Sequence, residues 1–472
     1  MRGQRDFGWR AADAERRTSE AERNVVLLVA TLSSFLTPFM SSSVNVALPV
    51  IGREFSADAI LLSWIATAFL LAAAVSLVPL GKIADIYGRK RIFTLGLALY
   101  VLTSFLAAVA PSVGWLIGSR ALQGIGGAMI FATGVAMLTS AFPAGQRGRV
   151  LGWNVAATYL GLSLGPVLGG ILTEQFGWRS IFLVNVPLGL LAIALVLWKL
   201  RGEWAEARGE RFDLVGSVVY GLSLAAVMFG LSRLPALLGG GLILLGVVGI
   251  AVFVWRETRV TSPLLNIGLF RHNTVFALSN LAALINYSAT AAVTLLLSMY
   301  LQYIQGLSPQ NAGFVLVAQP AMMALFSPLA GRLSDRIESR VIASAGMGLT
   351  VVGLVLLTLL GQSTGLGFVV ASLLLLGVGF ALFSSPNTNA IMSSVERRFY
   401  GVASATLGTM RLTGQMLSYG IAMLILSLVV GRVQITPEVY PLFLTSVKAA
   451  FTVFAVLCCG GIFASLARGN MR

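Results

Sequence analysis

Apolar runs of about twenty residues recur along the whole chain, and polar residues gather in the short stretches between them. As a helix, each run is long enough to cross the ~30 Å hydrocarbon core of a bilayer. Fourteen spans are predicted, at roughly 25–47, 59–80, 92–110, 114–141, 150–172, 181–200, 213–232, 238–256, 274–301, 311–331, 341–361, 366–387, 402–430 and 442–466. Backbone polar groups in hydrocarbon must be satisfied within the protein, so runs of this length fold as helices. The pattern predicts an all-α polytopic membrane protein with both termini on one side.

The densest polar knot between two runs is Gly81-Lys82-Ile83-Ala84-Asp85-Ile86-Tyr87-Gly88-Arg89-Lys90-Arg91. It is echoed at an offset of 250 residues, where the chain reads Gly331-Arg332-Leu333-Ser334-Asp335-Arg336. At nearly the same offset Gly165-Pro166 falls opposite Gly414-Gln415. The repeat divides the chain into a tail (1–24), a six-helix bundle (25–200), linkers with two additional helices (201–272), a second six-helix bundle (273–466) and a short tail (467–472). Parallel six-helix halves with a site at their interface are a known transporter plan.

Composition agrees with the pattern: 57% of residues are hydrophobic and 11% charged, against about 25% charged in soluble domains. The net charge of +15 reports topology. With the N-terminus in the cytosol, 26 of the 33 basic residues fall in inner loops and tails. Arg53, Arg179, Arg233 and Arg432 fall outside, and Arg120, Arg411 and Lys448 within spans. This is the positive-inside bias, and it expects no nucleic-acid partner. Both tails are expected in the cytosol, across the inner membrane of a prokaryote. Residues 1–23 have no apolar core, so no cleavable signal peptide is expected. Cys458 and Cys459 read as small packing residues inside the last span.

All 18 acids can be placed outside the spans: Glu54, Asp58, Glu174 and Glu438 on the outer side, the other 14 on the inner side. The only histidine, His272, falls in a cytosolic linker. No metal site or cofactor is expected, and no buried carboxylate offers itself as a proton carrier. No glycine-rich phosphate loop or nucleophile elbow occurs in a plausible context, so neither ATP-driven transport nor an enzyme is expected; a membrane-embedded lipid enzyme or a non-transporting sensor is the alternative class.

Within the spans the polar side chains are cationic or neutral. Arg120 and Gln123 lie near the start of span 4, and Arg411 and Gln415 share one face of span 13. An arginine in a span faces a cavity or bonds to backbone carbonyls. Asn45, Asn154, Asn280 and Asn286 can bind a polar substrate or join helices. Gly161, Gly165 and Gly169 line one face of span 5 beside Pro166, and are expected to form a seam that seals or slides. Asp85 is expected to cap the start of span 13, which follows Arg397 and Arg398. Its mirror Asp335 would face the start of span 5 near Arg147 and Arg149. Gly81, Asp85, Gly88, Arg89 and Asp335 would then form two inner latches.

These residues resemble the major facilitator superfamily, in particular its fourteen-span drug:proton antiporters. Gly81 to Arg91 matches the loop signature G-x-x-x-D-x-x-G-R-K-R. Arg120-Ala121-Leu122-Gln123-Gly124 is similar to the span-4 motif, and Gly161-x-x-x-Gly165-Pro166-x-x-Gly169-Gly170 to the span-5 antiporter motif. The resemblance also takes in Trp178-Arg179-x-x-Phe182-x-x-Asn185-Val186-Pro187 and Ser385-Pro386-Asn387-Thr388-Asn389, and it covers almost the whole chain. It implies the major facilitator fold, export of amphipathic small molecules by alternating access, proton antiport, and a role for Arg120 in the proton step. Family members often carry an aspartate in span 1, where this chain has Met40. The alternative expectation is a carrier or exporter of an anionic metabolite that need not be proton-coupled. A small-molecule substrate, a proton gradient and the lipid bilayer are the expected partners of a monomer.

Overall fold

Proline and glycine positions decide which helices bend and which touch, and the packing follows from them. The structure, a computed structural model, describes residues 20–200, 202–205, 207–234, 236–260, 263–264, 267–334, 336–395, 400–431 and 433–468. Among these are fourteen helices long and apolar enough to span a bilayer. They are α1 (Glu20–Phe55), α2 (Ala59–Tyr87), α3 (Arg89–Ala108), α4 (Val113–Ala141), α5 (Ala144–Phe176), α6 (Arg179–Lys199), α7 (Leu214–Arg233) and α8 (Leu237–Glu257). There follow α9 (Thr274–Ile304), α10 (Pro309–Ser334), α11 (Ser339–Thr358), α12 (Leu366–Ser393), α13 (Tyr400–Val429) and α14 (Tyr440–Leu466). All fourteen expected spans are present. Several run past the apolar stretch: α1 continues to Phe55, and α2 through the knot to Tyr87.

Short polar residues start the helices by accepting their first free amides. Asp58 caps α2, Ser112 α4, Asn273 α9 and Ser308 α10. Asp213 caps α7 through the Gly216 amide at 2.9 Å and also takes a forked bond from Arg256 of α8 at 2.8 and 3.1 Å. The Arg256 bond holds the Asp213 carboxyl below the usual carboxylate range.

The helices pack as two bundles with the same internal pairing. In the first half α1 packs on α5 and α6, α4 on α2 and α3, and α3 on α6. Eight helices later α9 packs on α13 and α14, α12 on α10 and α11, and α11 on α14. The closest crossings repeat as well. Gly126 meets the Gly96 carbonyl so closely that an added Cβ would lie 3.0 Å from it, and Gly379 meets Gly346 in the same way at 2.8 Å. The architecture is two six-helix bundles with two inserted helices, as the resemblance implies. Of the inserted pair, α7 lies on α2 and α13 while α8 packs on α7. Tyr220 of α7 donates to the Ala74 carbonyl of α2 at 3.2 Å. Ser427 of α13 donates to Leu234, just past α7, at 3.1 Å.

The glycine face of α5 sits differently from the expected sliding seam. A Cβ on Gly161 would lie 2.4 Å from the Phe35 carbonyl, and one on Gly165 or Gly169 would strike Ser42 or Ser43. All three neighbours are on α1, so this face joins two helices of the same half. Spacing by four aligns the glycines but does not choose their partner. Pro166 deprives the Leu162 carbonyl of its helical donor, and Ser42 of α1 donates to that carbonyl at 3.3 Å. Pro166 and Gly170, turned further round the helix, meet α10 of the other half.

Gly161→Val should cost about 1–3 kcal/mol of stability through overpacking, read as a lowered thermal midpoint of the purified protein. Gly152→Val on the same helix, where a Cβ meets nothing within 4 Å, should stay near wild type.

Candidate functional site

The boundary between the halves is built around a carbonyl that proline sets free. Pro49 lacks an amide hydrogen, so the Asn45 carbonyl one turn earlier has no helical donor. Ser298 of α9 donates to it at 2.8 Å. Gln302, one turn on, donates to the Val46 carbonyl at 2.7 Å, and Tyr303 to that of Pro49 at 3.3 Å. Further out, the Gln310 amide of α10 donates to Glu174 of α5 at 3.0 Å. Gly313 lies so close to the Pro166 carbonyl that a Cβ would sit 2.1 Å away.

All these contacts lie in the half of the molecule farthest from the Gly81–Arg91 loop, here termed the far side. The opposite end is the basic side. Trp153, Val155 and Leu160 of α5 and Leu325 and Leu329 of α10 are exposed. A cavity of about 280 Å³ lies among Leu27, Phe142, Gln146, Val150 and Trp153 at that side.

Two polar clusters sit at intermediate depth. The first gathers Arg120, Gln123 and Asn45. Arg120 is almost wholly buried, donates to the Ile65 carbonyl at 3.2 Å and to Gln123, and lies over the Phe69 ring at 4.4 Å. Gln123 donates onward to Ser104 at 2.7 Å. Asn45 donates to the Tyr419 hydroxyl of α13 at 3.0 Å, and Tyr419 is within electrostatic reach of Arg120. Among the described residues Arg120 has no ion pair. Its charge is held by a carbonyl, an amide and a ring face.

The second cluster is on α13. Arg411 and Gln415 are half-buried, with the Arg411 guanidinium 5.4 Å from the Tyr287 ring centre. Tyr287 packs edge-on to Phe380 at 5.4 Å. Arg411, Gln415 and Tyr419 occur every four residues and run up one face of α13 toward the first cluster. Tyr419 was legible from that spacing and was not picked out from the sequence. Ser298 and Gln302 were also missed; four apart in α9, they carry no signal until α1 lies opposite.

The remaining asparagines lie elsewhere. Asn154 accepts from Ser34 at 2.7 Å and ties α5 to α1. Asn280 donates to its own helix at Phe276, 2.9 Å. Asn286 is fully buried against Cys458 of α14. At the basic side, Asp85 accepts from Arg89 at 2.8 Å, and Arg89 also donates to Ser140 at the end of α4, 2.8 Å. Asp85 thus grips within its own half. Gly81 packs near Ala132 of α4, and Gly88 bridges α2 and α3 with φ of 119°. Asp335, Arg397 and Arg398 lie outside the described residues, as do the side chains of Arg147 and Arg149. The expected caps on α13 and α5 therefore fall on ground the structure does not describe.

Residues 30–418 and 279–469 match the family model described as Major Facilitator Superfamily. The chain belongs to that superfamily. It is 30% identical over 390 residues to the riboflavin transporter RibZ of Clostridioides difficile (strain 630), covering 82% of this chain and 84% of the relative. It is 33% identical over 404 residues to the multidrug resistance protein Stp of Mycobacterium tuberculosis (strain CDC 1551 / Oshkosh), covering 84% and 75%. These similarities place the chain among transporters of the superfamily, beside proteins named for riboflavin transport and for multidrug resistance. Among solved structures, a bacterial homolog of the human lysosomal transporter Spinster superposes with a TM-score of 0.71 at 16% identity, covering 95% of this chain and 97% of that one. That likeness concerns the fold.

Removing the two donors of α9 tests the far-side closure. In a Ser298→Ala/Gln302→Leu variant, a cysteine placed at buried Val46 should react with a membrane-impermeant maleimide roughly tenfold faster, as two lost bonds of about 0.7 kcal/mol each imply. The assay uses a Cys459→Ser background, since Cys458 is buried.

Proposed function

We propose that this superfamily member is a secondary active exporter that moves amphipathic small molecules out of the cytosol by alternating access, driven by proton antiport. The observation that carries this reading is the asymmetry of the boundary. Two similarly built halves are bonded together on the far side, and at mid-depth the Asn45–Tyr419 bond crosses between them, with Arg120 in the first half and Arg411 in the second. The positive-inside bias supports a cytosolic basic side in a prokaryotic inner membrane, with both termini there. The chain then works as a monomer in the bilayer, and the structure's basic side corresponds to the loading side.

Arg120, Gln123, Asn45, Arg411 and Gln415 form the cargo path in this reading, with Tyr419 and Tyr287 as its aromatic walls. Asn154 and Asn286 serve helix joints, and Asn280 bonds within α9. Arginine keeps its proton under any working condition, so Arg120 takes part through water, cargo or an acid at a helix end. Asp85 and Asp335 are the basic-side latches. The half-buried Asp85 carboxylate, held in this structure by Arg89, exchanges that partner for the start of α13 when that side closes.

A second reading is transport of an anionic metabolite without proton coupling. It is favoured by two mid-depth arginines with no acid beside them among the described residues, and by similarity to a protein named as a riboflavin transporter.

Inside-out vesicles separate the two. Ethidium uptake driven by an imposed pH gradient, abolished by an uncoupler and reduced at least tenfold by Arg120→Ala/Arg411→Ala, is the expected result. Uptake indifferent to the gradient contradicts antiport. Undiminished uptake by the double variant contradicts the cargo path.

A further inference from the structure

The Gly81–Arg91 loop and the polar stretch before α7 are far apart in sequence but form one unit in the structure. Helix α3 begins at Arg89, so its first amides have no acceptor inside the helix. Residues 203 and 204 supply acceptors for three of them. The Trp204 carbonyl accepts from the Arg89 amide at 2.8 Å. The two Glu203 carboxylate oxygens accept from the amides of Lys90 at 2.7 Å and Arg91 at 3.2 Å. From the other direction the Ala207 amide donates to the Asp85 carbonyl at the end of α2, 3.0 Å. Lys90 reaches the Leu200 carbonyl at 2.6 Å, and Lys82 pairs with Glu210 at 2.5 Å.

Gly88 is what admits the carboxylate. Its φ of +119° suits glycine, and a Cβ there would lie 2.4 Å from the Glu203 carboxyl carbon. Glu203 also sits at the positive end of the α3 dipole, where an anion is favoured.

Arg89, whose backbone this clasp fixes, is the residue that holds Asp85 and Ser140, and so joins the ends of α2 and α4. We propose that Glu203 is a positioning residue for the basic-side gate. It acts through Arg89, setting the first turn of α3 and keeping the Asp85–Arg89 pair in register. The same clasp binds the α6–α7 linker to the first half. The clasp therefore ties the basic-side end of α7 to α2, while its other end bonds to α13 at Ser427. The inference rests on the alternating-access reading above.

Hydrogen exchange and transport on the full chain test it together. In Glu203→Ala, amide exchange across residues 88–92 and 203–207 should rise roughly fivefold to tenfold. Ethidium turnover in inside-out vesicles should fall at least threefold at unchanged KM, with the thermal midpoint near wild type. Glu203→Gln keeps an acceptor oxygen and should recover most of both. Wild-type exchange in Glu203→Ala would show that the clasp does not hold the loop. Lost protection with wild-type turnover would show that it does not position the gate. If the wild-type chain moves no ethidium at all, the reading as an exporter of such dyes fails. The exchange data then judge the clasp alone: loss in the alanine variant with recovery in glutamine supports it, and any other pattern overturns it.

Discussion

A backbone carbonyl without a donor is costly in hydrocarbon, and α1 creates one at Asn45 by placing Pro49 four residues on. The far-side closure depends on how that carbonyl is satisfied. Ser298 supplies a hydroxyl from the other half, and Gln302 satisfies its neighbour Val46. If the halves part here, water must enter to replace both donors. The boundary is therefore favourable when dry and bonded or when wet and open, and unfavourable between. Proline in α5 raises the same problem with a local solution, since Ser42 of the same half answers Leu162. One proline thus makes a separable contact, and the other a permanent joint.

The paired architecture turns this local chemistry into a lever. Each half repeats the same helix pairings, so opening at one end can be matched by closing at the other without repacking either bundle. Each half carries one arginine at mid-depth: Arg120 is stabilised by Ile65, Gln123 and Phe69, and Arg411 lies near Tyr287. Helix α7 spans the α2–α13 seam and adds apolar cover there, from Tyr220 at Ala74 to Leu234 at Ser427.

The spans and the two-half plan were legible because hydrocarbon imposes one solution on long apolar runs, and because the Gly81 and Gly331 loops repeat. Helix ends were less so: nothing in an apolar window shows that a helix continues through polar residues, as α2 does to Tyr87. Spacing identified the α5 glycine face but not its neighbour. Arg120 with Gln123 and Arg411 with Gln415 were found because charge in a span is rare. The asparagines could not be sorted, since a residue that binds cargo and one that joins helices look alike in sequence. The clasp of Glu203 on Lys90 bridges 113 residues and depends on tertiary structure alone.

The central claim is that the two sides of the α5–α10 boundary are alternately bonded and open. Pulsed electron resonance on two label pairs measures this most directly. One pair, Gly152→Cys with Leu329→Cys, reports the basic side, and the other, Phe176→Cys with Asn311→Cys, reports the far side. With Cys459→Ser throughout, the account predicts opposed populations. Conditions or cargo that shorten the basic-side distance should lengthen the far-side distance. Distances that change together, or a single fixed population at both sides under every condition, would contradict it.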